Sequence, residues 1–253
     1  MSSNAATAVV RAELTKIRTV RSTLVPLVVA LVVSVGIGVL GCASARSAID
    51  RKSDMLRSDF NPVDAGFVGV QFGQLALIAF AVLLVCAEYG SGMIRTSLAA
   101  VPSRGLFYLA KITAAGTVAL LVAVPTTFLA FLASQTALGP HGVELSHPGA
   151  LRAVLGACLY LTLMCLFSVG IATMLRSTAL ALSLLFAFVF VLSPVANAVP
   201  ALRTAARYLP DHAGAEVMKA DPGLSPATGL LILAAWAAVA LSAGYLTLRS
   251  RDS

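Results

Sequence analysis

A polar interruption lies between two long apolar runs, and it reads Glu88-Tyr-Gly-Ser-Gly-Met-Ile-Arg-Thr-Ser-Leu-Ala-Ala-Val-Pro-Ser-Arg-Gly-Leu-Phe-Tyr-Leu-Ala-Lys111. The glycines at its start allow the backbone to turn, and Ser91 between them is a suitable N-cap. The residues from Met93 to Val101 favour a short helix. Pro102 should end this helix, and Ser103 can cap the helix that follows.

The short helix has an apolar stripe. Ile94, Leu98 and Val101 follow the i, i+4, i+7 spacing of one helical face, and Arg95 lies off that face. Two interpretations of this pattern stay open. The helix either docks into another protein or lies on the lipid surface.

The composition indicates an integral membrane protein. The chain is 58% hydrophobic and only 11% charged, with a mean hydropathy of +0.91, whereas soluble domains carry roughly 25% charged residues. A length of 253 residues accommodates roughly six spans of about 20 residues. We therefore predict an all-α integral membrane protein, a single transmembrane domain over 1–253, with spans near 24–43, 65–87, 109–138, 151–175, 179–199 and 227–248.

An amphipathic helix is predicted before the first span. Leu14 and Ile17 share one helical face, and Arg11, Lys16 and Arg18 supply positive charge. Such helices lie on the cytoplasmic leaflet, where anionic lipids attract Lys and Arg. We expect this segment to be a membrane-surface helix.

The distribution of basic residues predicts the orientation. If both termini are cytoplasmic, the inner segments carry ten Lys and Arg residues and the outer segments carry eight. This modest excess favours both termini inside, and it places 88–111 in the cytoplasm as well. The pI of about 9.6 then reflects membrane topology, and no nucleic acid is expected as a partner.

The segment before the last span is too apolar for a solvated loop, yet it is broken by Pro194, Pro200 and Pro210. We predict that span five ends in a broken helix. One or two short helices should follow it and dip into the outer leaflet. Backbone at that depth must be buried in protein or line a cavity.

Catalytic and cofactor motifs are not found in the sequence. There is no G-x-x-x-x-G-K-[ST] sequence, so no P-loop binds ATP, and no charged residue lies near the middle of a span. The polar residues Gln71, Gln74 and Asn197 fall within predicted spans. They either line a pathway for an amphipathic substrate or form hydrogen bonds between helices.

Three segments resemble the ABC-2 family of ATP-driven permeases. They are the entry segment Arg11-Ala-Glu-Leu-Thr-Lys-Ile-Arg-Thr19, the interruption that begins at Glu88, and Tyr208-Leu-Pro-Asp-His-Ala-Gly214 before the last span. All three occur in the order and at the topological positions that the family uses, so the resemblance covers nearly the whole chain.

The resemblance implies that the interruption forms a cytoplasmic coupling helix between spans two and three, docked on a separate ATPase. Glu88 would orient the bend, Ile94 and Leu98 would enter a groove of the ATPase, and Arg95 and Arg104 would make charged contacts there. Anchoring by positive-inside charge is the alternative for the two arginines. The implied coupling residues are Glu88, Gly92, Ile94, Arg95, Leu98, Val101, Pro102 and Arg104.

The resemblance further implies a permease subunit in the bacterial cytoplasmic membrane that exports an amphipathic small molecule, peptide or lipid. Antibiotic or self-resistance is one interpretation of that role. The expected partners are an ATPase, which binds ATP and Mg²⁺, a second permease subunit and membrane lipid. The chain itself is not expected to be an enzyme or to hold a cofactor. A membrane scaffold or sensor that does not transport stays open as the alternative.

Overall fold

Six apolar helical segments run side by side in the computed structural model, which describes residues 3–51, 60–101, 103–221 and 223–251. Within these residues the structure is entirely helical, and the six segments are long and apolar enough to cross a membrane: Arg21–Asp50, Pro62–Gly90, Arg104–His141, Ala150–Leu175, Thr178–Ala198 and Pro226–Ser250. The all-α fold class and the six spans are therefore confirmed.

The helices follow one another with short connections. They are α1 (Ser3–Thr19), α2 (Arg21–Asp50), α3 (Pro62–Ala65), α4 (Val68–Gly90), α5 (Met93–Ala100), α6 (Arg104–Leu138), α7 (Ala150–Leu175), α8 (Thr178–Ala187), α9 (Ser193–Ala198), α10 (Arg203–Ala206), α11 (Pro210–Ala215) and α12 (Pro226–Arg251). A π-helical segment, Phe188–Leu192, joins α8 to α9, and a 3₁₀ turn, Glu216–Met218, follows α11.

Local sequence signals explain several of the helix ends. The Ser103 hydroxyl accepts a hydrogen bond from the Leu106 amide at the start of α6, as predicted. The Asn61 side chain accepts from the Val63 amide at the start of α3, where Pro62 occupies the first turn. Short helices α10 and α11 follow the irregular end of span five, which confirms the predicted break there.

The core of the bundle is built around α4 and α7, the two most buried spans. Glycine residues allow helices of the bundle to approach one another closely, and Gly69 and Gly170 are two examples. A Cβ atom at Gly69 would lie 1.9 Å from the Ser34 carbonyl oxygen of α2, and one at Gly170 would lie 2.4 Å from the Ala240 carbonyl carbon of α12. Small residues of this kind let apolar helices pack at short distance in a membrane. The span that begins with α8 is the least buried.

The two ends of the bundle hold different short helices. We call the end that holds α1 and α5, together with the beginning of α6 and the last turn of α12, the α5 end. The helices α3, α10 and α11 lie at the opposite end, as the alternation of the spans requires. The basic residues predicted to be cytoplasmic belong to the α5 end.

Candidate functional site

The turn between α4 and α5 depends on Gly92. This residue has φ of 71°, in the left-handed region, and it precedes the first residue of α5. The Ser91 hydroxyl does not cap α5, because it donates to the Ala87 carbonyl oxygen at 2.7 Å in the last turn of α4. The prediction of Ser91 as N-cap is therefore wrong, and the glycine alone sets the direction in which α5 leaves α4.

Beside this turn, four charged side chains from three helices form one cluster, which we call the four-charge cluster. Its members are Glu13 and Lys16 of α1, Glu88 of α4 and Lys111 of α6. Lys16 Nζ lies 2.6 Å from Glu13 Oε1 and 2.9 Å from Glu88 Oε1. Lys111 Nζ lies 2.8 Å from Glu13 Oε2 and 3.0 Å from Glu88 Oε1. Each lysine thus bridges both carboxylates, and the cluster carries no net charge.

Burial makes the four-charge cluster different from an ordinary surface network. The side chains of Glu13, Glu88 and Lys111 are at most 6% exposed, and Lys16 is 31% exposed. The Phe107 ring covers the cluster, with its centroid 5.2 Å from Lys111 Nζ and 5.9 Å from Lys16 Nζ. Buried charges of this kind are tolerated only when they are paired, so the three helices that supply them are held in one relative position.

The pKa shifts have the same physical origin. Burial alone would raise the pKa of Glu13, but the charges and hydrogen bonds of Lys111 and Lys16 outweigh it and hold the pKa below its ordinary value. Burial alone would lower the pKa of Lys16, and the bonds to Glu13 and Glu88 outweigh it and raise the pKa. Both groups therefore stay charged across the neutral range.

The helix α5 is joined to the cluster and to the bundle. Lys16 Nζ donates to Ser97 Oγ at 3.3 Å. Ile94 and Val101 are half-buried and pack against a small core formed by Phe107 and its neighbours at the α5 end. The predicted apolar stripe thus already has a partner within the chain at these two positions, which corrects the expectation of a stripe that is free for another protein.

The outer side of α5 is different in character. Met93 is 44% exposed, and Thr96 is also exposed. The side chains of Arg95 and Leu98, and Pro102 as a whole, lie outside the described residues, so their predicted contacts stay predictions. A cleft of about 400 Å³ opens between α1 and α5, and Glu13 and Lys16 of the four-charge cluster are among its lining residues.

Arg104 contacts the last span. Its Nη1 donates to the carbonyl oxygens of Leu248 at 3.4 Å and Arg249 at 2.9 Å. Arg176 Nη2 donates to the Thr247 carbonyl oxygen at 3.1 Å. Carbonyls in the last turn of a helix lack partners within the helix and carry partial negative charge, so the two arginines stabilise the end of α12. For Arg104 this is a role that the sequence did not predict.

Comparison with protein-family models identifies the chain. The model described as ABC-2 family transporter protein matches residues 9–193. The chain belongs to this family. The match runs from α1 into the fifth span, and it includes all four members of the four-charge cluster and α5. No curated protein matches the chain. It is thus a multi-pass membrane component of an ABC-2 transporter, which supports a permease role.

In this ABC-2 chain the entry helix α1 packs on protein along its apolar face. Ile17 is buried, Leu14 is half-buried against the core, and Lys16 belongs to the four-charge cluster. Arg11 and Arg18 remain exposed. The apolar side predicted to lie in lipid therefore contacts α2 and α6 instead, while contact of the two arginines with lipid stays a prediction.

The three polar residues considered for a substrate pathway have different environments in the structure. Gln74 is buried and accepts a hydrogen bond from the Tyr160 hydroxyl, while its Nε2 donates to the Gln71 carbonyl oxygen at 2.8 Å. Gln71 is exposed and lines a cavity of about 500 Å³ toward the opposite end. Asn197 is exposed and is not among the lining residues of that cavity. Gln74 thus has the environment of a helix–helix contact, and Gln71 that of a cavity residue.

Sequence reasoning missed two members of the cluster, Glu13 and Lys111, as site residues. Both carried a signal. Glu13 is the one acidic residue in the otherwise basic α1, three positions before Lys16. Lys111 lies in the predicted third span, a place where an unpaired charge is costly. A buried partner was therefore to be expected for each.

Proposed function

We propose that the chain is the membrane subunit of an ATP-driven exporter, with a separate ATPase docked at the α5 end. The observation that carries this proposal is the four-charge cluster. It joins α1, α4 and α6 through buried ion pairs and reaches α5 through Ser97. A force applied to α5 or α1 would therefore pass directly to spans two and three.

The cleft between α1 and α5 and the exposed side of α5 form the proposed docking face. The cleft is bordered by small and apolar residues of α1, such as Ala8, Val9 and Ala12, and by Thr96 and Ser97 of α5. These residues suit an apolar contact with a polar edge, the usual anatomy of a protein interface.

The direction of transport, the orientation and the substrate class are parts of the same proposal. With the α5 end in the cytoplasm, both termini are inside, and the basic residues of this end lie on the side that the positive-inside rule favours. The substrate would be an amphipathic small molecule, peptide or lipid. Two such subunits would act together with two ATPases in a bacterial cytoplasmic membrane, and antibiotic or self-resistance is one role for such an exporter.

The docking face can be tested by co-purification. The permease is co-expressed with an ATP-binding-cassette ATPase encoded near it, and Met93→Asp and Thr96→Asp are compared with Ser146→Asp, an exposed change at the opposite end. We expect the two α5 variants to lose the ATPase and the control to retain it, because a charge without a partner in an interface weakens binding.

Retention of the ATPase by both α5 variants would contradict the docking face. The scaffold or sensor function would be favoured by a different result. In that case the wild-type complex assembles, but after reconstitution its ATP hydrolysis does not respond to candidate substrates and it transports none of them. Uptake of an amphipathic dye into inside-out vesicles on addition of ATP, absent without the ATPase, is the result expected of an exporter.

A further inference from the structure

A groove between α6 and α12 at the α5 end is used by none of the interactions described above. Its volume is about 540 Å³. Gly105 and Leu109 of α6 form one wall, and Ser242 and Leu246 of α12 form the other. Tyr108 and Tyr245 make the floor, with their rings stacked at a centroid distance of 6.1 Å. The Tyr108 hydroxyl is satisfied by the Leu241 carbonyl oxygen at 3.0 Å, which leaves an apolar surface.

The walls face the lipid side of the bundle. Leu109 is 62% exposed and Leu246 is 61% exposed. The part of α12 from Ala238 to Leu246 that lines the groove spans about 12 Å at 1.5 Å per residue. A slot of this length between two spanning helices matches a stretch of acyl chain that lies roughly along the helices.

The end of the groove carries positive charge. Arg104 directly precedes Gly105 of the groove, and its guanidinium reaches across to the last carbonyls of α12. Arg249 is exposed and follows the groove residues Leu246 and Tyr245 by three and four positions, so it lies on the same face of α12, about one turn beyond the groove. Neither helix contains Asp or Glu. Lys111 of α6 is turned toward the carboxylates of the four-charge cluster and does not contribute to the groove. The groove is thus apolar along its length and is flanked by basic residues at one end.

We propose that this groove binds one anionic glycerophospholipid of the cytoplasmic leaflet. Its acyl chain lies along the tyrosine floor, and its phosphate lies at Arg249 and Arg104. Basic pockets between spanning helices on the cytoplasmic side are known to hold anionic headgroups. The choice of leaflet rests on the orientation in the proposed function. The bound lipid would fill the gap between the start of span three and the end of span six.

The test uses quenching of tryptophan fluorescence by brominated lipids. Trp236, the single tryptophan of the chain, is replaced by Phe, and Leu109→Trp then places a reporter in the groove. Leu121→Trp is the matched control, because Leu121 is 67% exposed on the same helix but outside the groove. Each protein is reconstituted in phosphatidylcholine vesicles with phosphatidylglycerol. In one sample the phosphatidylglycerol is brominated and in the other the phosphatidylcholine, at the same acyl carbons. The ratio of the two quenching constants then does not depend on the depth of the tryptophan in the bilayer.

At Leu109→Trp we expect brominated phosphatidylglycerol to quench more strongly than brominated phosphatidylcholine. At Leu121→Trp we expect the ratio of the two quenching constants to be near one. Arg249→Gln should lower the groove ratio about fivefold, which corresponds to about 1 kcal/mol for one arginine near an anionic lipid. Arg249→Lys should retain the preference, and high salt should reduce it. Ser242→Leu, which fills the slot, should reduce quenching of the groove reporter by both lipids.

Three results would overturn the proposal. They are a ratio near one at Leu109→Trp, a ratio that Arg249→Gln leaves unchanged, or a groove reporter that neither lipid quenches, which would mean that a second copy of the chain covers the groove. The measurement needs no ATPase. A failure to dock an ATPase therefore leaves it unaffected, and a failure to bind lipid leaves the docking test unaffected.

Discussion

Removal of Lys111 tests whether the four-charge cluster holds the α5 end together. Lys111 contacts both Glu13 and Glu88, at 2.8 and 3.0 Å, and its side chain is 4% exposed. The Lys111→Gln variant leaves two buried carboxylates with only Lys16 to pair them. Loss of one partner of a buried ion pair costs about 3–5 kcal/mol. We therefore expect the free energy of unfolding to fall by about that amount.

A double-mutant cycle separates the charge effect from a packing effect. In Glu13→Gln/Lys111→Gln the remaining Lys16 and Glu88 form a neutral pair at 2.9 Å. The double variant should thus be more stable than the sum of the two single changes predicts, by about 0.5–3 kcal/mol, the range for residues in direct contact. The measurement is unfolding of the purified protein in mixed micelles with increasing denaturing detergent, followed by circular dichroism.

Lys219→Gln is the matched control for this cycle. Lys219 pairs with Glu216 at the opposite end, and its side chain is 46% exposed, so its loss should cost about 0–1 kcal/mol. If Lys111→Gln costs no more than this control, or if the two cluster changes are additive, the ion pairs do not hold the helices together. The role assigned to the four-charge cluster would then be wrong.

Three further predictions follow from single contacts. Gly92→Ala should lower the free energy of unfolding by about 1–2 kcal/mol, because a side chain strains a residue in the left-handed conformation, and it should reduce ATPase-driven transport. Gly90→Ala is the control: Gly90 has open space around it and no positive φ, so this change should have neither effect. Gln74→Leu leaves the buried Tyr160 hydroxyl of α7 unpaired and should lower the free energy of unfolding by about 1–3 kcal/mol. Gln71→Leu changes the lining of the cavity and should alter substrate preference in transport assays with little loss of stability. The pKa of Glu13 is lowered in the folded protein, so its contribution to stability is complete above the ordinary Glu pKa and is lost as pH falls through the lowered pKa. The free energy of unfolding should therefore fall more on acidification in the wild type than in Glu13→Gln, in which Glu216, whose pKa is also lowered, still contributes.

The spans and the short helices were accessible from the sequence because they depend on local signals. Apolar length and charge depletion are sufficient to predict six spans. The hydroxyl of Ser103 and the proline-rich segment before α12 mark helix ends without any tertiary information. The π-helical segment Phe188–Leu192 was not predicted, since its residues are as apolar as the rest of span five and carry no breaker.

The contacts of the candidate site were less accessible because they are long-range. Periodicity placed Ile94 and Val101 on one face of α5, but it does not say whether that face meets the same chain or another protein. Glu13 and Lys111 are 98 residues apart in sequence, and each alone fits an ordinary amphipathic helix or a positive-inside anchor. The Ser91 prediction was wrong for a related reason, since a serine between two helices can bond backward to the first one as well as forward to the second.

The position of α6 explains how motion at one end of the bundle could reach several spans together. Its first residue, Arg104, holds the last carbonyls of α12, and two turns later Lys111 holds the carboxylates of α1 and α4. Both contacts lie within the α5 end, where α5 connects α4 to α6. Lys16 also donates to Ser97 of α5, so a displacement of α5 pulls on helices that the buried ion pairs hold to one another. The start of α6 should therefore move together with α1, the end of α4 and the end of α12. The end of α7 is held at the same junction, because the Arg176 guanidinium donates to the Thr247 carbonyl oxygen of α12 at 3.1 Å and lies 5.1 Å from the Tyr89 ring centroid of α4.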